Sequence, residues 1–360
     1  MVARNPNQGN TVPRYIPALT GLRAVAAYLV FVHHYNPVAD DGWLHRLVAQ
    51  GYAGVTIFFA LSGFLIYHRY ANAYLDTTNW SWRAYYQNRF ARIFPVYILV
   101  LALTIGVAIW RGQSVSWFEV GVNLTLIKGF FEPYKFSGLA QSWSLTVEEC
   151  FYLTAPWLFV VLRRWGPIWL TAFLVSAGLF LWLVVGGLHW HGLFGSVPFV
   201  LFYTFFGRSF DFIVGMWLAW QWHSGRLTGV RYTTIYGLVL VAVCVGWQTW
   251  ITGQASSSTT LVWSEFIAYN LGLSVGIGFF VHGLLCEPSR LKRVLAQPIA
   301  LALGQSSYAF YLIHIGVISK LIQQKLTGTN LGFLFMCLIA LAYGLYRWVE
   351  KPLQQRFRAG

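Results

Sequence analysis

The chain has 360 residues, of which 57% are hydrophobic and only 10% charged, with a mean hydropathy of +0.55. Soluble domains carry charge on about a quarter of their residues, so this composition excludes a soluble globular enzyme and indicates a polytopic, all-α membrane protein. The net charge of +14 does not call for nucleic acid, because excess Lys and Arg is what the inner loops of membrane proteins carry.

Residues 1–16 are polar, hold Arg4 and Arg14, and read as a cytoplasmic N-terminal tail. The apolar run that follows is too long for a signal peptide and is read as a retained span. Runs long enough to cross a hydrocarbon core of about 30 Å occur near 17–35, 51–68, 93–110, 144–162, 168–186, 205–221, 233–251, 265–284, 298–319 and 331–349. They predict about ten transmembrane helices in one membrane domain, 17–352, followed by a cytoplasmic tail at 353–360. The shorter apolar stretch 117–131 is expected to lie on the surface or re-enter, since an eleventh crossing would put Arg163 and Arg164 outside. With ten crossings most Lys and Arg fall on inner segments and both termini are cytoplasmic. No internal repeat is evident, which argues against a transporter built from inverted halves. Cys150, Cys244, Cys286 and Cys337 are too widely spaced for a metal motif or an obvious disulfide framework.

Ionisable groups inside such runs are costly in lipid and mark function. The first run, PALTGLRAVAAYLVFVHHYNP, carries Arg23 near one end and His33 and His34 near the other. From Arg23 to His34 is three helical turns plus about 20°, so the two share a face, roughly 16 Å apart along the axis. His33 falls about 80° away and is the weaker candidate. The plain alternative is a snorkelling arginine and an interfacial histidine.

Leading into the third run, YYQNRFARIFPVY sets Arg89 and Arg92 at i and i+3, neighbours at the cytoplasmic entrance. Two planar guanidinium forks suit phosphate oxygens; an ordinary positive-inside anchor is the alternative. SWSLTVEECFYL opens the fourth run with Glu148 and Glu149, expected on the outer side with His34, where a carboxylate would orient an imidazole. A helix-start acid favoured by the macrodipole is the competing reading. Arg208 and Asp211 in GRSFDFIVG have the spacing of a buried ion pair. In LGQSSYAFYLIHIGVI, Ser307, Tyr311 and His314 form a polar seam that glues helices or lines a cavity. The HWH at 189–191 would suit a metal only as a strand, and no metal is expected there.

Seven pieces in order, GLRAVAAYLVFVHH, GVTIFFALSGFLI (54–66), RFARIFPVY (89–97), WSLTVEECFY (143–152), GRSFDFIVG (207–215), LGQSSYAFYLIH (303–314) and YRWVEKP (346–352), resemble the acyltransferase 3 family of integral-membrane acyltransferases. That resemblance covers nearly the whole chain. It implies acylation of sugars in extracytoplasmic glycans, with acetyl taken from cytoplasmic acetyl-CoA. It further implies His34 as the catalytic histidine, Arg23 as its partner, Arg89 and Arg92 as contacts to the CoA phosphates, Glu148 as the acid after the Trp-Ser-Leu signature, and His314 as a recurrent histidine of the ninth span. Many relatives carry a fused SGNH hydrolase-like domain. This sequence ends eight residues after Pro352, so the acceptor step is expected within the membrane domain or on a separate envelope glycan-assembly protein.

The expected function is therefore transmembrane O-acyltransfer in the bacterial cytoplasmic membrane, from acetyl-CoA to a hydroxyl of a cell-surface glycan or lipid-linked sugar. Direct transfer and an acyl-histidine intermediate both fit these residues. The rival reading is a membrane transporter of a small polar or glycan-related substrate. Consumption of acyl-CoA separates the two.

Overall fold

A computed structural model describes residue 13 and residues 15–75, 80–227, 231–254 and 258–357. The expected tails at 1–16 and 353–360 lie partly outside the described residues, as does part of the loop 253–260. Among the described residues the chain is helical; the only strand-like pairing is an isolated bridge between Phe131 and Leu193.

Helix α1, Pro17–His34, starts on a proline, whose missing N–H costs nothing in a first turn. The short α2, Trp43–Ala49, leads to α3, Ala53–Leu75, and then to α4, Trp82–Trp110. Helix α5, Trp117–Leu124, has eight residues, about 12 Å of length, and so cannot cross a bilayer. The stretch 117–131 instead folds against the start of α6, Trp143–Val185: the Gly129 amide donates to Thr146 Oγ1 at 3.2 Å. The buried Lys128 ammonium donates to the Ser137 and Leu139 carbonyls at 2.6 Å each. Helix α6 is two arms joined at Gly166, whose φ of +78° precedes Pro167. Glycine adopts that angle without strain, and the proline breaks the ladder, so the runs expected at 144–162 and 168–186 meet at this bend.

Next come α7, Val197–Tyr203, α8, Phe205–His223, α9, Thr233–Ile251, and α10, Thr259–Phe266. A π-helical turn at 267–272 joins α10 to α11, Leu273–Cys286. After α12, Arg290–Leu295, the ninth run is divided into α13, Pro298–Gln305, α14, Ser307–Ile313, and α15, Val317–Ile322. Helix α16, Leu331–Leu345, passes through a second π turn into α17, Lys351–Phe357.

Seven helical stretches among the described residues are long and apolar enough to cross a membrane, rather than ten. The difference has three local causes. The two arms of α6 form one continuous stretch. Helix α1 is diluted by Arg23, His33 and His34, and the ninth run is broken at Ser306 and again at 314–316. The runs that fall short of a plain apolar span are thus α1 and α13 to α15, which carry Arg23, His34 and His314. Polarity is inverted relative to a soluble protein. Trp110, Trp169, Leu183 and Trp348 are exposed, while Arg208, Asp211, Asn270 and His314 are buried, as a hydrocarbon solvent requires.

Helix α1 packs against α3, α13 and α14. Its contact with α3 depends on Gly54, where a Cβ would collide with the Ala26 carbonyl; such small residues let membrane helices approach closely. Gly54→Ala should therefore lower stability by about 1–3 kcal/mol through overpacking. Gly106→Ala, at a position with open space around it, should be neutral or stabilise by up to about 1 kcal/mol. Thermal unfolding of the two variants in detergent checks this.

Candidate active site

Two separate cavities open at opposite ends of α1. The first, about 330 Å³, is walled by Tyr15, Arg23, Ser62, Arg89, Arg92, Tyr152 and Glu350, among others. The second, about 320 Å³, is walled by Val30, His33, His34, Tyr311, Arg208 and a group of aromatic side chains. Tyr15 and Ile16 share the first cavity with Tyr346, Glu350 and Gln354, so the two described ends of the chain meet on the arginine side.

In the arginine cavity, Arg89 Nη2 donates to the Tyr70 hydroxyl at 3.0 Å, and its guanidinium lies over the rings of Tyr70 and Tyr152 at 5.2 and 5.6 Å. Arg92 follows on the next turn of α4 and lines the same space, and Arg69 joins from α3. The Nε atoms of Arg23 and Arg89 are buried and have no hydrogen-bond partner. Against these four guanidiniums stand two carboxylates, Glu350 in the wall and Glu148 behind Ser62 and Tyr152. The cavity is therefore cationic on balance, with guanidinium donors still to satisfy.

Glu148 is placed differently from the sequence expectation. Helix α6 begins at Trp143, so Glu148 lies more than a turn inside it and faces α3. Ser62 Oγ donates to its Oε1 at 2.5 Å, and the Tyr152 hydroxyl donates to the same oxygen. Both donors line the arginine cavity, and Arg23 lies within electrostatic reach of Glu148, Arg92 and Glu350. The carboxylate thus belongs with the arginines, not with the His34 imidazole. Glu350, 3% exposed, was not singled out from the sequence; its signal is an acid closing the last apolar run.

The His34 imidazole is held by a histidine instead. His34 Nδ1 lies 2.9 Å from the Val30 carbonyl and 3.2 Å from His314 Nε2, and His314 Nδ1 lies 2.7 Å from the Tyr311 carbonyl. Carbonyls only accept, so each ring carries its proton on Nδ1. His314 Nε2 then offers its lone pair to the His34 Nδ1 proton, and His34 Nε2 keeps a free lone pair. Its neighbour His33 lies edge-on to it at 4.7 Å in the same cavity wall, with Nδ1 held by the Ala49 carbonyl at 2.5 Å.

The break in the ninth run makes this arrangement possible. Helix α14 stops at Ile313, and the chain restarts after Gly316 at φ +102°. Irregular backbone at membrane depth is tolerated where protein groups satisfy it. Here Gln141 Nε2 takes the Leu312 carbonyl at 2.5 Å, and the His314 ring takes the Tyr311 carbonyl. The Tyr311 hydroxyl is fixed by the Gln141 carbonyl at 3.0 Å and Ser144 Oγ at 2.8 Å.

Arg208 and Asp211 form the expected ion pair at 2.7 Å, both buried. Arg208 also donates to Thr56 Oγ1 at 2.7 Å and Asn270 Oδ1 at 3.0 Å. Spacing alone did not reveal that this guanidinium borders the His34 cavity. The HWH stretch is not a strand: His189 and His191 have φ of 49° and 50°, and His191 stacks on Phe118 at 4.2 Å. Among the described residues no cluster of three or more His, Cys, Asp or Glu is placed to hold a metal.

The acyltransferase 3 family model, described as an acyltransferase domain, matches residues 16–346. The chain belongs to this family. It is 25% identical over 368 residues to the peptidoglycan O-acetyltransferase OatA of Listeria monocytogenes, covering 95% of this chain and 56% of that protein. The "Putative peptidoglycan O-acetyltransferase YrhL" of Bacillus subtilis is 27% identical over 378 residues, covering 96% and 56%. A "Putative O-acetyltransferase" of Staphylococcus aureus is 24% identical over 387 residues, covering 95% and 58%. The chain thus spans under three-fifths of the length of these curated relatives. No solved structure matches it. With bacterial relatives and its apolar helices, this family member is an integral protein of the bacterial cytoplasmic membrane.

Arg208→Met leaves Asp211 buried without its cation and should cost about 3–5 kcal/mol, whereas Arg208→Met with Asp211→Leu should recover most of that loss. Unfolding midpoints of the single and double variants measure the difference.

Proposed function

We propose that this acyltransferase carries acetyl across the membrane, from acetyl-CoA entering the arginine cavity to a sugar hydroxyl entering the histidine cavity. The observation that carries the reading is α1 itself, which presents Arg23 to one cavity and His34 to the other, roughly 16 Å apart on one face. A cationic cavity on the side of the chain ends suits the CoA phosphates, since guanidinium forks match phosphate oxygens. The excess of positive charge on that side supports a cytoplasmic orientation.

With its donor anchored there, the thin pantetheine arm reaches along α1 toward His34. The free lone pair on His34 Nε2 takes the proton of the acceptor hydroxyl as its oxygen attacks the thioester carbonyl. A C–O bond forms, the C–S bond breaks, and CoA leaves as a thiolate that is then protonated. If Nε2 attacks first, a C–N bond forms with loss of the same thiolate, and the hydroxyl displaces the imidazole in a second step. His314 is a positioning residue in both routes: the Val30 carbonyl fixes the His34 tautomer, and His314 Nε2, the second acceptor of the same Nδ1 proton, holds the orientation of the ring. Glu148 and Glu350 set the charge around the donor arginines.

Two things support a glycan acceptor. The names of the relatives OatA and YrhL specify peptidoglycan. The histidine cavity has an aromatic wall, Trp143 and Phe136 packed edge-on against Tyr203 at 5.0 and 5.6 Å, beside the polar Gln141 and Glu265. Apolar faces with a few placed polar groups suit a sugar ring.

Purified protein with labelled acetyl-CoA tests the reading. Arg89→Ala/Arg92→Ala should lose CoA affinity. His34→Ala should bind CoA normally and lose turnover by roughly 10²–10⁴-fold. His314→Phe should keep CoA affinity and lower kcat by at least about tenfold, with little change in KM, because the His34 ring keeps its tautomer through the Val30 carbonyl but loses the partner that holds its orientation. Folded wild-type protein with no affinity for acetyl-CoA would contradict the donor assignment and turn attention to transport.

A further inference from the structure

The two cavities are separated by a short stretch of packed side chains. On α1 the arginine cavity ends at Arg23 and the histidine cavity begins at Val30; on α3 the corresponding limits are Ser62 and Val55. Each interval is seven residues, roughly 10 Å of helix. Phe58 sits in the middle of the α3 interval. Its ring lies 6.0 Å from the Arg23 guanidinium carbon, in the wall of one cavity, and 5.8 Å edge-on from the Tyr311 ring, in the wall of the other. Tyr311 is pinned by Ser144 and Gln141, and α3, which carries Phe58, is held against α1 by the close approach at Gly54. The space between the cavities is therefore set on one side by a fixed phenol and on the other by the Phe58 ring.

The geometry points to Phe58 as the residue that limits the length of the acyl group this enzyme transfers. The inference rests on the acetyl-CoA reading above and deepens it. A thioester brought from the arginine cavity toward His34 must place its acyl chain alongside Phe58 and Tyr311. An acetyl group adds only a methyl beyond the reacting carbonyl. Each further methylene has to occupy volume that the Phe58 ring fills. Close-packed interiors resist even one added methylene, and such a contact discriminates by roughly 10–200-fold.

The test supplies a peptidoglycan oligosaccharide as acceptor and compares acetyl-, butyryl- and hexanoyl-CoA as donors for the wild-type chain, Phe58→Ala, Phe58→Leu and Phe58→Trp, read as release of the CoA thiol. Affinity for free CoA is measured in parallel as the check on folding. The wild type should prefer acetyl-CoA. Phe58→Ala should raise the butyryl-to-acetyl ratio of kcat/KM by roughly tenfold or more, with CoA affinity unchanged. Phe58→Leu should move the ratio in the same direction by less, and it carries the comparison should the alanine variant not fold. Phe58→Trp should bind CoA and lose acetyl turnover. An active wild type whose ratio is unchanged in both the alanine and leucine variants overturns this inference and leaves the proposed function standing. A wild type that releases thiol from none of the three donors overturns both.

Discussion

In hydrocarbon, a polar group without a partner costs several kcal/mol, and this constraint explains where the chain departs from regular helix. At each irregular point near the site a specific side chain takes over the lost hydrogen bonds. Gln141 and His314 cover the break after α14. Asn270, inside the π turn, donates to the Leu201 and Gly207 carbonyls at 2.7 and 3.1 Å and accepts from Arg208. Ser274 donates to Asp211 and closes the same network. Gln141 borders the histidine cavity itself, and Asn270 holds Arg208, which also borders it, so membrane stability and site geometry rest on one connected set of residues.

The second organising feature is the placement of an arginine cluster and an imidazole pair at opposite ends of one helix. Arginines gather where the two described ends of the chain meet, and the imidazole pair sits at the far end of α1, where among the described residues no carboxylate is hydrogen-bonded to either ring. A histidine whose Nδ1 proton is taken by a carbonyl and a second imidazole presents the lone pair of Nε2 to the cavity. Phe58 and Tyr311 keep the two environments apart while leaving them only a few side chains from each other.

What could be read from the sequence follows from helical periodicity. The shared face of Arg23 and His34, the neighbouring Arg89 and Arg92, and the Arg208–Asp211 pair all depend on i, i+3 or i, i+11 relations within one helix, and the structure keeps them. What could not be read depends on how helices meet. Glu148 was expected beside His34 because its run was taken to start at the outer surface. The five-residue step from Trp143 to Glu148 carries it inward and rotates it toward Ser62. The ninth run reads as continuous because it holds no internal proline, and glycines such as Gly304 and Gly316 are common in membrane helices. The contacts of His314 with His34 and of Gln141 with Leu312 join residues 280 and 171 positions apart, beyond the reach of any local pattern.

The central claim is that donor and acceptor meet from opposite sides of the membrane. Sealed proteoliposomes with one protein orientation, labelled acetyl-CoA supplied only on the arginine side and a peptidoglycan oligosaccharide only on the histidine side, test it most directly. The account predicts acetylated oligosaccharide from this arrangement and none when the two substrates are exchanged. Product formed only when both substrates share one side would contradict it.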